Sequence, residues 1–330
     1  TDPKVMHLSL PYVQWMLAGS PLLFVYIIYT SILRGVGDSL TPLIALSLTS
    51  LMGLVITPIL IAGYFGFPRL GIIAPAIATI MGYLAVLIFL VIYLNKKNHP
   101  LKMDRHLLRQ IRHQPNLSKV ILRLGIPTGL QMVTTSMAGL VIVGLVNRHG
   151  AEATAAYGAV NQVLNYIQFP ALSIAIAASI FAAQAIGAGK AELLAKVTRT
   201  ALGMNLLITG ILVTLGYLFS KYLMALFITD PTVVVLGQQL LFIVLWAILF
   251  FGASAIFASI MRASGTVNVP MIINILAIVL IEVPCAYFFS QWWGLQGIWY
   301  AYALAFVSLC IGQGAYYQFV WKKKTIQVLV

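Results

Sequence analysis

Apolar sequence runs from one end of this chain to the other, in nine stretches that are each long enough to cross a bilayer. They cover 9–33, 41–64, 71–94, 120–147, 154–184, 199–220, 233–258, 268–290 and 295–320. In hydrocarbon every peptide group must find its hydrogen bond within the chain, so each stretch is expected to be a transmembrane helix. The fifth is long enough to tilt or to include a turn at the interface. Composition leaves no soluble alternative. The chain is 61% hydrophobic and 8% charged, where soluble domains carry about 25% charged residues.

A twelve-residue phrase occurs twice between such stretches. Residues 31–42 read SILRGVGDSLTP and residues 259–270 read SIMRASGTVNVP. Ser31, Ile32, Arg34, Gly37 and Pro42 recur as Ser259, Ile260, Arg262, Gly265 and Pro270. More loosely, Pro58 echoes Pro284, and Leu70-Gly71-Ile72 echoes the sequence around Gly297-Ile298. Six stretches separate the copies, an even number, so both face the same side of the membrane. The pattern predicts a six-helix unit repeated in parallel. The fold class is therefore an all-α membrane protein with two lobes of six helices, and this chain is expected to carry the fourth to the twelfth helix. Residues 1–94 would close the first lobe, 95–119 would form a basic linker, and 120–330 would be the complete second lobe. In the linker, Met103, Leu107, Leu108 and Ile111 share one face of a possible helix lying on the leaflet; a solvated loop is equally open.

The net charge of +13 is placed asymmetrically. One set of alternate loops holds Arg34, the eight basic residues between 96 and 123, Lys190, Lys196, Arg199, Arg262 and Lys322 to Lys324. The other holds Lys4, Arg69, Arg148 and Lys221. The positive-inside rule makes the first side cytoplasmic, with the C-terminus inside and residue 1 outside. This accounts for the charge without a nucleic-acid partner. Cys285 and Cys310 lie in apolar stretches and supply neither a disulfide framework nor metal-ligand spacing.

Several segments together carry a family likeness: LRGVGDSLTP at 33–42, LGIPTGLQ at 124–131, GAVNQVLNYIQFPAL at 158–172, QAIGAG at 184–189, MRASGTVNVP at 261–270, EVPCAYF at 282–288 and GLQGIW at 294–299. In this order and spacing the chain resembles the multidrug and toxic compound extrusion (MATE) family, in wording closest to its DinF-like bacterial subgroup. The resemblance implies a secondary active exporter of the bacterial inner membrane, monomeric when complete. Two lobes would surround a central cavity. Alternating access would expel amphipathic, often cationic drugs or metabolites against inward H⁺ or Na⁺, with no cofactor. The family's second-lobe cation site pairs a Glu with an Asp. By spacing, Thr135 and Phe251 take those places here, so that site is expected to be absent. The family's Asn–Asp pair falls on Gly53 and Thr57, and Thr79 matches a polar family position. For DinF-like members the proton-taking Asp lies in the first helix, upstream of Thr1, which leaves Glu282 as the second candidate for ion coupling.

The residues themselves also single out Glu282. Of the seven acids, it alone sits well inside an apolar stretch. A carboxylate there costs about 2.5–3.5 kcal/mol on insertion scales, so it should face a cavity or a partner. One reading is proton exchange or cation contact; the other is a carboxylate bonded to backbone freed by Pro284 or to a neighbouring helix. Gln131, Thr134, Thr135, Asn161, Gln162, Asn165, Asn274 and Tyr300 are candidate substrate- or ion-pathway residues, although polar groups in spans also hold helices together. Tyr157, Tyr166, Trp246, Phe250, Phe251 and Tyr302 offer cation–π faces or plain packing. Kinks at Pro127, Pro170 and Pro284 are expected as bending points or static shape. Ala171, Ala175, Ser179, Ala183 and Gly187 form an expected small-residue ridge.

Enzyme chemistry has no signature here. Gly187-Ala188-Gly189-Lys190 lacks the first glycine and the hydroxyl of a phosphate loop, and the five histidines are scattered. Two rivals to an exporter stay open: a lipid-linked oligosaccharide flippase of the same broader superfamily, and a truncated, non-transporting membrane protein.

Overall fold

A computed structural model describes residues 3–97, 99, 101–102 and 114–324; for residues 3–8 and 65 it describes the backbone alone. Among these residues there is no strand. Nine helical spans are long and apolar enough to cross a membrane: Ser9–Gly35, Leu40–Ala62, Gly71–Lys96, Pro115–Asn147, Ala151–Gly187, Leu193–Leu218, Pro231–Ala263, Asn268–Trp293 and Leu295–Lys323. Their outward faces carry large apolar side chains, with Leu54 at 74% and Leu140 at 73% exposed. Water would penalise such surfaces and lipid does not. The chain is a multi-pass membrane protein.

The chain divides into two compact units, Thr1–His113 and Gln114–Val330. The first contains α1 (Pro3–Gly35), α2 (Leu40–Ala62) and α3 (Ala74–Lys96). Tyr26, Tyr29, Leu33, Ala45, Val86, Leu90 and Leu94 form its main buried cluster. The α1–α3 crossing is close because Gly19 has no side chain where Ile80 packs. The expected amphipathic face of Met103, Leu107, Leu108 and Ile111 lies outside the described residues.

The second unit contains α4 (Pro115–Asn147), α5 (Ala151–Gly187), α6 (Leu193–Leu218), the short α7 (Ser220–Ala225), α8 (Pro231–Val244), α9 (Ile248–Ala263), α10 (Asn268–Leu276), α11 (Val283–Trp293) and α12 (Leu295–Phe319). α5 packs against α4, α6, α8 and α9, while α12 packs against α8, α9 and α11. The small-residue ridge on α5 is real but drifts. The buried positions are Ala171, Ala175, Ala178, Ala182 and Ala185, whereas Ala183 and Gly187 are exposed. A strict four-residue step overshoots the 3.6-residue turn, so the contact face steps back to stay on α9. Where α5, α6 and α9 meet, a Cβ on Gly252 would run into the Asn205 amide oxygen. Asn205 is buried, donates to Leu249 O at 3.2 Å and accepts from Thr209 Oγ1 at 3.0 Å. No motif in the sequence sets Asn205 and Thr209 apart from other polar residues in spans.

Two expectations about spans need correction. The fourth span starts at Pro115 rather than 120, because the helix continues into the polar end of the expected linker. The expected spans 233–258 and 268–290 are not single regular helices: a 3₁₀ turn at Leu245–Ala247 interrupts the first and a π-helical turn at Ala277–Glu282 the second. α4 and α5 run on past Pro127 and Pro170. The strongest departure lies upstream of Pro284, since a proline ring collides with the carbonyl four residues earlier, and a widened turn relieves that.

The repeated phrase has a shared physical cause. Gly37 and Gly265 both adopt positive φ, at 92° and 81°. Gly37 N–H donates to Arg34 O at 3.0 Å and Asp38 N–H to Leu33 O at 3.0 Å; Gly265 N–H donates to Arg262 O at 2.9 Å and Thr266 N–H to Met261 O at 3.0 Å. Each is a Schellman helix stop with glycine at its left-handed position. The repeated arginines fold back on their own helices, Arg34 to Ser31 Oγ at 3.0 Å and Arg262 to Ala258 O at 3.2 Å. Gly265→Ala is expected to cost about 1 kcal/mol through the left-handed penalty, seen as a lower midpoint in thermal unfolding of the purified protein. An unchanged midpoint would show that the turn does not hold that conformation.

Candidate functional site: an intramembrane carboxylate beside a tyrosine pair

Glu282 is the last residue of the π-helical turn, and α11 begins at Val283, so the carboxylate stands where the helix changes register. It is half-buried and, among the described residues, makes no ion pair or hydrogen bond. The reading in which it bonds to backbone released by Pro284 is therefore not what the structure places there. The turn packs against α12, which carries the hydroxyl of Tyr302. That hydroxyl and the Tyr157 hydroxyl on α5 share a hydrogen bond of 3.0 Å.

Aromatic rings enclose this pair. Trp299, fully buried, lies 5.4 Å from the Tyr157 ring and 5.5 Å from Tyr302. Its indole N–H has no partner among the described residues. Tyr302 continues to Phe306 at 6.2 Å and Phe306 to Phe251 at 5.2 Å. Phe251, the position read as replacing the family's acid, thus extends an aromatic row. Asn161, one turn along α5, donates to Tyr157 O at 3.0 Å. A carboxylate inside a span with no fixed partner among the described residues can exchange a proton or approach a small cation.

The other candidates are dispersed. Thr57 and Thr79 belong to the first unit; both are half-buried, and Thr79 donates to Pro75 O at 2.7 Å. On α4, Gln131 is half-buried and its carbonyl accepts from Thr135 Oγ1 at 3.0 Å, so the Thr135 hydroxyl serves its own helix. Thr134 does the same with Leu130 O at 2.9 Å. Gln162 and Asn165 are exposed on α5, and Tyr300 is exposed and edge-on to Trp293 at 5.8 Å. Asn274 on α10 has a buried amide oxygen without a partner among the described residues, as does Gln313 on α12, whose amide nitrogen donates to Pro270 O at 3.0 Å. Gln313 and Trp299 were missed from sequence, although a glutamine mid-span is a signal that could have found the first. Among the described residues no cluster of His, Cys, Asp or Glu could hold a metal ion.

Outside the spans, Asp38 pairs with His99 at 3.7 Å rather than with Arg34, and Tyr29 holds Leu101 O at 3.1 Å. Partial burial pushes the Asp38 carboxyl up. The hydroxyl and N–H of Thr41 and the His99 ring outweigh this and hold it below the usual carboxylate range. Asp230 is likewise held low by the Thr232 hydroxyl and N–H, at 2.7 and 2.8 Å, as it caps α8.

Known proteins give this arrangement a context. The MatE family model matches residues 1–59 and 127–288. The probable multidrug resistance protein YoeA of Bacillus subtilis is 42% identical over 333 residues, covering 100% of this chain and 72% of that protein. A second from the same organism, YpnP, also described as a probable multidrug resistance protein, is 29% identical over 98% of this chain and 71% of its own length. The crystal structure of MATE in the straight conformation superposes with a TM-score of 0.87 at 21% identity, over 96% of this chain and 70% of that one. The fold is that of MATE transporters, and the chain belongs to the MatE family.

Proposed function

We propose that this protein is a secondary active exporter that expels amphipathic, often cationic compounds in exchange for inward H⁺ or Na⁺. The observation that carries the substrate class is the 42% identity to a probable multidrug resistance protein over the whole chain. Ion coupling draws support from Glu282, an acid inside a span with no fixed counter-ion among the described residues. Its setting suits a group that takes and releases a small cation. The basic loops would face the cytoplasm of a bacterial inner membrane. Within the second unit, the 3₁₀ and π turns both pack on α12, and they are the bending points we assign to alternating access. The DinF-like wording of the sequence favours H⁺ over Na⁺.

The test is export of a dye cation by everted vesicles carrying the protein, under an imposed pH gradient, with and without Na⁺. Uptake several-fold above vesicles lacking the protein, driven by the pH gradient alone, is the expected result. No movement under either gradient, with the protein inserted and folded, would sink the exporter reading. It would favour a flippase or a non-transporting role.

A further inference from the structure

We propose that the groove between α5 and α6 is a binding site for one anionic phospholipid, with its headgroup at Lys196 and an acyl chain between the helices. The proposal rests on the chain lying in a bilayer and is independent of what it transports. The groove has a volume of about 620 Å³. Its floor is made of small buried residues, Ala178 at 3% and Ala201 at 5% exposed, and its rims of Phe181 at 62% and Met204 at 46%. Small residues facing each other under bulky rims leave an apolar slot between the two helices.

Length and charge select the occupant. From Leu193 to Met204 the slot follows twelve residues of α6, about 16 Å end to end at 1.5 Å rise per residue. That matches one leaflet of a hydrocarbon core about 30 Å thick. Among the described residues lining the slot Lys196 alone is charged, and it sits at the end nearest the α5–α6 turn. Lys190 and Arg199 are exposed nearby and add positive charge; Glu192 is the acid of the same turn. Among the described residues the one ion pair is His99 with Asp38, so Lys196 is not neutralised by Glu192. The start of α6 adds its helix dipole, which also favours an anion. A neutral amphiphile would leave Lys196 without a counter-charge at the mouth of an apolar slot, whereas an anionic lipid satisfies both ends.

Native mass spectrometry of the purified full chain, released from micelles holding equal amounts of phosphatidylglycerol and phosphatidylcholine with identical acyl chains, reads this directly. The wild type should retain its first lipid with roughly fivefold preference for phosphatidylglycerol, the value of one basic residue at a membrane surface. Lys196→Gln should remove the preference, and Lys221→Gln, outside the groove, should keep it. Ala177→Phe, which fills the slot from its exposed side, should reduce retention of either lipid several-fold. Equal retention of both lipids by the wild type would overturn the site. So would a preference that survives Lys196→Gln, or retention unaffected by Ala177→Phe. All four proteins are first required to elute as the same monodisperse species; should Ala177→Phe fail this, Thr200→Phe fills the same slot and is read the same way.

Discussion

Glu282→Gln is expected to lower gradient-driven export by about 5- to 150-fold, the range of a typical coupling free energy, while leaving the protein as stable as before or more so. The two halves of that expectation come from the same geometry. Gln keeps the shape and removes the charge. Because Glu282 has no ion pair or hydrogen bond among the described residues, its neutralisation strands no partner and removes the cost of holding a carboxylate in a span. A structural acid would behave in the opposite way, since breaking a buried pair usually costs 3–5 kcal/mol. Transport in everted vesicles and thermal unfolding of the same preparation therefore separate the roles. Export at the wild-type rate would end the assignment of Glu282 to ion coupling, and a large fall in unfolding midpoint would make it a scaffold residue. Tyr302→Phe should give a milder loss, as it removes only the hydroxyl that pairs with Tyr157, on the helix packed against this turn.

The lone acid in an apolar stretch was visible from sequence, because charge inside a span is rare on energetic grounds. Its surroundings were not. Tyr157 and Tyr302 are 145 residues apart, and no spacing rule joins them; only the packing of α5 against the α8–α9 and α12 framework does. The nine spans were legible because hydropathy over 20 residues averages out local detail. For the same reason the turns at Leu245–Ala247 and Ala277–Glu282 were invisible, since a 3₁₀ or π turn does not alter mean hydropathy. Pro284 announced a distortion, yet the widened turn lies before it, where the ring meets the preceding carbonyl. The small ridge failed in its second half because four-residue spacing is not the helical period. The Asp38–His99 pair joins residues far apart in sequence, and no local spacing announces it.

Gly297→Ala should be among the most damaging single substitutions in the second unit, costing about 3 kcal/mol by overpacking and lowering the unfolding midpoint by roughly 6–12 °C. A Cβ there would enter the Phe289 carbonyl and come within 2.8 Å of Ser290 N. Both obstacles are backbone, so no rotamer change relieves the clash, and the ends of α11 and α12 must separate. The repeat offers an internal control. Gly71 stands at the echoing position of the first unit, yet among the described residues a Cβ on it would meet nothing within 4 Å; its φ of +50° gives a different reason for glycine. Gly203 and Gly210 on α6 also face open space, and alanine there should be neutral or stabilising by up to about 1 kcal/mol because it is the better helix former. Trp299 and Tyr302 follow Gly297 along α12. Splaying that helix should therefore also loosen the tyrosine pair and depress export, even in protein that remains folded at low temperature. A Gly297→Ala midpoint equal to that of Gly203→Ala would refute the close crossing of α11 and α12.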